Sequence, residues 1–92
     1  MSVAVTCTVH VPSPLASYVQ GAREVPARGA TLAEVLSDLD ARFPGMRFRM
    51  IDEHDRIRRH IRLYVNDTQA SDLRAPVQAG DAVHLICALS GG

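Results

Sequence analysis

The chain has 92 residues, an apolar content of 47% and zero net charge, which describes one small domain around a single modest core. The charge balance gives no general attraction to a polyelectrolyte, and no apolar run reaches membrane-spanning length. Two cysteines make no disulfide framework and no secretory leader is visible, so a cytoplasmic protein is expected.

Val3, Val5, Cys7, Val9 and Val11 alternate with Ala4, Thr6, Thr8 and His10, a period of two that predicts a strand with one buried face. Pro12 and Pro14 end it, and residues 15–21 read as a connection. A weaker strand over residues 22–28 contains Pro26, which cannot donate to a ladder and therefore belongs at an edge. The two strands can pair as a hairpin through a long loop.

Thr31 followed three residues later by Glu34 is a capping box. Leu32, Val35, Leu36 and Leu39 then follow helical spacing, so one stripe faces the core, and Pro44-Gly45 stops the helix after Phe43. Met46, Phe48 and Met50 alternate with Arg47 and Arg49, the pattern of a short extended piece, and residues 52–59 read as a charged loop. Ile61, Leu63 and Val65 predict another strand, Asn66-Asp67 a turn, and residues 68–70 a short returning strand. Gly80-Asp81 precedes a last strand over residues 82–87. The first and last strands are the most apolar and should be central. One helix on one face of a mixed sheet buries all these stripes economically.

The chain closes on Ser90-Gly91-Gly92. A glycine pair after a final strand is a chemical handle, because bare backbone threads a narrow channel and no side chain crowds the Gly92 carboxylate. A frayed end is the alternative.

The order of elements, with Tyr64-Val65-Asn66-Asp67, Ala79-Gly80-Asp81-Ala82-Val83 and Ser90-Gly91-Gly92, resembles the ubiquitin-like sulfur carriers. That family includes the small subunit of molybdopterin synthase, the thiamine-pathway carrier and the carrier of a mycobacterial cysteine pathway. Residues 38–45 and 61–67 look closest to the molybdopterin and cysteine branch. The resemblance implies an α+β fold of β-grasp type, a mixed sheet of four to five strands with one main helix on one face. It divides the chain into a domain over residues 1–87 and a flexible tail over residues 88–92.

The resemblance also implies a mechanism without a bound cofactor. An enzyme resembling ubiquitin E1 would use ATP to adenylate the Gly92 carboxylate, and a sulfur donor would displace AMP to leave a thiocarboxylate. A downstream biosynthetic enzyme would then accept the sulfur. Gly91 would supply thin backbone, and Ala88, Leu89 and Ser90 the arm that enters the partner. Family members often place a proline shortly before the tail, where this chain has Cys87, which leaves the arm freer and adds a thiol. Leu89 and Ser90 are milder departures.

Inward parity at Val3, Leu63 and Leu85 sends Thr6, Thr8, Arg62, Tyr64, His84 and Ile86 to the open face of the sheet. Tyr64 and Ile86 are apolar for such a face, which marks it, with Arg62, as the surface that meets partners.

Cys7-x-x-His10 and His84-x-x-Cys87 have the composition of a zinc site, but residues three apart on a strand point to opposite faces, and no metal is expected. The same parity separates His84 from Cys87 as base and nucleophile, so a self-contained enzyme is not expected. Arg42, Arg47, Arg49, Arg56, Arg58, Arg59 and Arg62 crowd one third of the chain against Asp52, Glu53 and Asp55. That cluster is the feature a nucleic-acid reading would use, though a solvated face or an acidic protein partner explains it better. A ubiquitin-like conjugation or interaction module, with Gly92 ending on an amine, is the second reading. Every basic residue is arginine, so the chain offers no lysine to such a bond. Biased genome composition is the better explanation of that.

Overall fold

In the computed structural model, which describes residues 5–87, five strands form one mixed sheet beneath a single long helix. The strands are β1 (Thr6–His10), β2 (Glu24–Arg28), β3 (Ile61–Val65), β4 (Thr68–Ala70) and β5 (Ala82–Cys87), in the sheet order β2-β1-β5-β3-β4. β1 runs parallel to β5 and every other pair is antiparallel. The first and last strands are central, as their apolar content predicts, and β2 with Pro26 lies at an edge. Hairpin pairing of β1 with β2 places Thr8 opposite Pro26.

Alternation sets the faces. Cys7, Val9, Val25, Ala27, Ile61, Leu63, Val83 and Leu85 point under the helix and are buried. The helix α1 (Leu32–Arg42) returns Leu32, Val35, Leu36 and Leu39, all fully buried. Burial of each leucine contributes about 1.5–3 kcal/mol relative to exposure.

The start of α1 leaves no orphan donor. Leu32 N–H donates to Ala75 O (3.0 Å), Ala33 N–H to Leu73 O (3.0 Å), and Glu34 N–H to Thr31 Oγ1 (3.3 Å). The return arm of the box reaches one residue further than expected, since Glu34 Oε1 accepts from Ala30 N–H (2.9 Å). At the other end Phe43 N–H closes on Leu39 O (2.7 Å) before Pro44.

Two segments correct the sequence reading. The expected extended piece at residues 46–50 is a short helix, α2 (Met46–Met50). Its apolar residues fit either period, and the packing selects the helical one: Met46 and Met50, four apart, are fully buried while Phe48 is 62% exposed. Asp40 assists, because its Oδ1 accepts from Gly45 N–H (3.1 Å) and Arg47 N–H (3.2 Å), turning the chain into the helix. The connection after β1 is a 3₁₀ helix (Ser13–Val19) that buries Leu15 and Val19 and ends on Gln20 in the left-handed region.

Asn66 and Asp81 tie the β3–β4 turn to the start of β5. Asp81 accepts from Asn66 Nδ2 (3.0 Å) and Gln78 N–H (2.8 Å), while Asn66 Oδ1 accepts from Ala82 N–H (3.0 Å). The Gln78 amide first, and then Asn66, hold the Asp81 carboxyl below the usual carboxylate range. A depressed folded value stabilises the fold above the ordinary carboxyl pKa of about 3.9 and loses that effect as pH falls through the folded value. Asp81→Ala is therefore expected to melt earlier than the parent at neutral pH and to lose less on acidification below about pH 4. Asp52 and Asp72, shifted the same way, keep part of the acid limb in the variant. Thermal melts at stepped pH check this, and superimposable acid limbs would acquit Asp81.

Candidate functional site

The open face of the sheet is a grid set by register. One row across it reads Glu24, His10, His84, Tyr64 and Gln69, and a second places Arg62 beside Ile86. Arg62, Tyr64 and Ile86, singled out by parity, thus lie on two adjacent strands of one face. Ile86 is 43% exposed, Arg62 is exposed and Tyr64 half-buried. The His10 and His84 rings stack with centroids 4.5 Å apart and planes 18° from parallel, giving the row a flat, rigid middle. Arg62 does not swing free: Nη1 donates to Arg59 O (2.7 Å) and Ile61 O (3.1 Å), which fixes its guanidinium at the start of β3.

Ala88, Leu89, Ser90, Gly91 and Gly92 lie outside the described residues, and the last described position before them is Cys87. Its side chain follows the core parity of Val83 and Leu85 and packs against the core from the end of β5. Burial pushes the Cys87 thiol up, so it stays protonated at neutral pH and is a weak nucleophile. Cys7 is buried, and burial followed by the carboxylates of Asp81 and Asp38 raises its thiol too. Both cysteines are thus poor competitors for an activated acyl group.

The arginine cluster is partly consumed by the fold. Arg42 pairs with Asp38 and Arg47 with Asp55, each at 3.0 Å. Arg49 lies over Tyr18 at 4.9 Å and Arg58 over Phe48 at 4.5 Å from the ring centroids. These two aromatic rings, with Pro14, His60 and Cys87, line a groove of about 450 Å³ at the end of β5. The sequence reading missed it. The spacing of Leu15 and Val19 and of Met46 and Met50, read as helical, would have brought Tyr18 and Phe48 outward.

β5, the central strand, thus runs between the open sheet face and the groove. Comparison with known proteins decides the matter. The ThiS family model matches residues 9–92. The chain belongs to the ThiS family. A sulfur carrier protein, CysO, of Mycobacterium tuberculosis is 33% identical over 90 residues, covering 92% of this chain and 97% of that protein. The structure of an Amycolatopsis orientalis BexX/CysO complex contains a chain that is 34% identical, with a TM-score of 0.87 over 94% of this chain and 99% of the other. SAMP1 from Haloferax volcanii is 27% identical, with a TM-score of 0.79 over 95% of this chain and 99% of the other.

Membership of the ThiS family, with these relatives, makes the chain a sulfur carrier of β-grasp fold, as the sequence motifs implied. ThiS proteins of this kind serve as substrates of other enzymes. Among the described residues no helix is long and apolar enough to cross a membrane.

Proposed function

We propose that Gly92 is the sulfur-bearing residue and that this cytoplasmic chain is a co-substrate, not a catalyst. A carboxylate is a poor electrophile because its leaving group would be oxide. An E1-like enzyme would join the Gly92 carboxylate to the α-phosphate of ATP, expelling pyrophosphate. A sulfur nucleophile would then form the C–S bond as AMP leaves with the C–O electron pair. The resulting thiocarboxylate is anionic and strongly nucleophilic at neutral pH, fit for delivery to an acceptor in a second enzyme. The chain supplies the reacting atom and a docking surface, and the partner supplies positioning and electrostatics.

The observation that carries this reading is the placement of β5. It is the middle strand of the sheet, and the five residues following Cys87 span at most about 17 Å when extended. An enzyme that takes Gly92 into its active site must therefore stand against the end of β5, with the Arg62, Tyr64 and Ile86 face within reach. Gly91 keeps the arm thin, and Ala88, Leu89 and Ser90 form the part of it that enters the partner's channel. The acceptor is a biosynthetic enzyme that makes molybdopterin, cysteine or a thiolated metabolite. The complex named for the Amycolatopsis orientalis CysO favours a carrier that docks on a protein partner.

Intact mass after incubation with ATP, the activating enzyme and a sulfur source tests the reading. Exchange of one oxygen for sulfur, localised to Gly92, is expected. No exchange with an enzyme active on another carrier would overturn it. An adduct to an amine of another protein would favour conjugation, the reading to which similarity with the archaeal modifier SAMP1 also points.

The docking face has its own test. Ile86→Asp places a carboxylate on a 43%-exposed position, so the chain still folds, with a loss of about 1 kcal/mol in strand preference, while affinity for the activating enzyme falls about tenfold or more. Calorimetric titration of the two forms reads this directly. Equal affinities would remove the sheet face from the contact.

A further inference from the structure

The groove at the end of β5 is distinct from the sheet face, since it is built by the 3₁₀ helix, α2 and the segment leading into β3. We propose that it docks an acidic segment bearing an apolar side chain, located on the rim of the enzyme that activates Gly92. This rests on the carrier reading given above.

The apolar half of the argument is Phe48. It is the most exposed large apolar side chain among the described residues, at 62%. The fold does not need it there, because α2 is anchored by Met46 and Met50 and by the Asp40 carboxylate. Exposed aromatic area of this kind marks contact surfaces, where aromatic residues supply rigid anchors. Tyr18, half-buried across the groove, gives it a second aromatic wall.

The polar half is the state of the two guanidinium groups. Arg58 stacks on Phe48 and spends its Nε on Phe48 O (2.7 Å); Arg49 stacks on Tyr18 and spends its Nε on the Tyr18 hydroxyl. Neither forms an ion pair with a carboxylate among the described residues. The nearby acids are used elsewhere: Asp55 pairs with Arg47, and Asp52 Oδ1 accepts from His54 N–H and Arg56 N–H. Each guanidinium is thus held over a ring with its Nε committed, and the terminal nitrogens of neither hydrogen-bond to another described residue. That is a preorganised fork for a carboxylate.

The occupant follows from charge and reach. The tail carries a single charge at its very end and enters the channel only once the two bodies have met, so steering and orienting the encounter fall largely to groups outside the tail. Cys87 lines the groove, and the arm beyond it reaches at most about 17 Å, so the mouth of the enzyme's channel lies within that distance of the groove walled by Phe48, Arg49 and Arg58, as it does of the sheet face. An acidic rim meets the two forks there, steers the approach, and keeps its own charge away from the ATP site.

The test uses the full chain and the activating enzyme that thiocarboxylates it, with turnover read by intact mass. Arg49→Glu with Arg58→Glu in one chain is expected to raise KM for the carrier about tenfold or more, with kcat within about twofold. The wild-type KM should rise with ionic strength, and that dependence should be lost in the double variant. Phe48→Ala should raise KM at least about threefold and keep the salt dependence. All three positions are exposed or half-exposed, and a circular-dichroism melt verifies that each variant is folded. A folded double variant with wild-type KM overturns the proposal, as does a loss confined to kcat. A wild-type chain that gains no sulfur at all overturns the carrier reading itself, which is a different result from turnover that the groove variants match.

Discussion

A chain shortened by Gly91 and Gly92 gains no sulfur from ATP, the activating enzyme and a sulfur donor, and unfolds at the same temperature as the parent. The first half follows from where the chemistry sits. Removing two residues withdraws the terminal carboxylate by about 7 Å, and misplacement of a reacting group by 1 Å already costs roughly a hundredfold. It also leaves Ser90 to enter the space that glycine would occupy, with a Cβ and hydroxyl on the terminal residue. The second half follows from the core, whose buried residues, among those described, all lie between Cys7 and Leu85. Sulfur gained at the new terminus would sink the assignment of Gly92, although the chain would remain a member of its family. A lowered melting temperature would show that the last residues hold the fold together as well.

Gly29→Ala is expected to destabilise the fold by about 3 kcal/mol, the upper part of the range for overpacking, and to lower Tm by more than about 10 °C. Gly29 sits between β2 and α1, where the chain turns from the sheet edge into the helix. A Cβ there would meet Val35 N at 2.6 Å, Glu34 Cβ at 2.7 Å and Glu34 C at 2.8 Å. Two of these three atoms are helix backbone, so no side-chain rotation relieves the overlap. The first turn of α1 would have to lift, breaking the contacts that Leu32 N–H and Ala33 N–H make with Ala75 and Leu73. The comparison is Gly80→Ala. Gly80 has φ +85° and open space around it, so alanine costs only the left-handed backbone preference, about 1–2 kcal/mol. Thermal melts of the two variants decide between steric and conformational causes. A Gly29→Ala chain as stable as Gly80→Ala would mean that α1 can rise from the sheet at little cost.

The sequence carried most of the architecture because its strands and long helix bury one face each. Cys7, Val9, Leu63 and Leu85 announce their side by alternation, and Leu32, Val35, Leu36 and Leu39 by helical spacing. Such patterns survive because a slip of one residue would turn a whole face to water. The two short helices escaped for a physical reason. In five to seven residues, two apolar side chains fit either period, and the decision passes to distant partners such as the Asp40 carboxylate beneath Gly45 and Arg47. The consequence for the site is direct. Arg62, Tyr64 and Ile86 were legible through strand parity, whereas Tyr18 and Phe48 were not, because the helices that turn them outward were the segments misread. Gly91 and Gly92 were proposed from their chemistry together with the family resemblance, and they lie outside the described residues.

The parallel pairing of β1 and β5 bears on how the carrier answers to force. An enzyme that grips the end of the chain pulls along the axis of β5, which is held on one side by β1 and on the other by β3. Load applied in that direction shears both ladders together instead of peeling them one rung at a time. The domain should therefore resist extraction by traction on its C-terminal end, and give way far more readily when pulled across the sheet from the exposed edge strand β4.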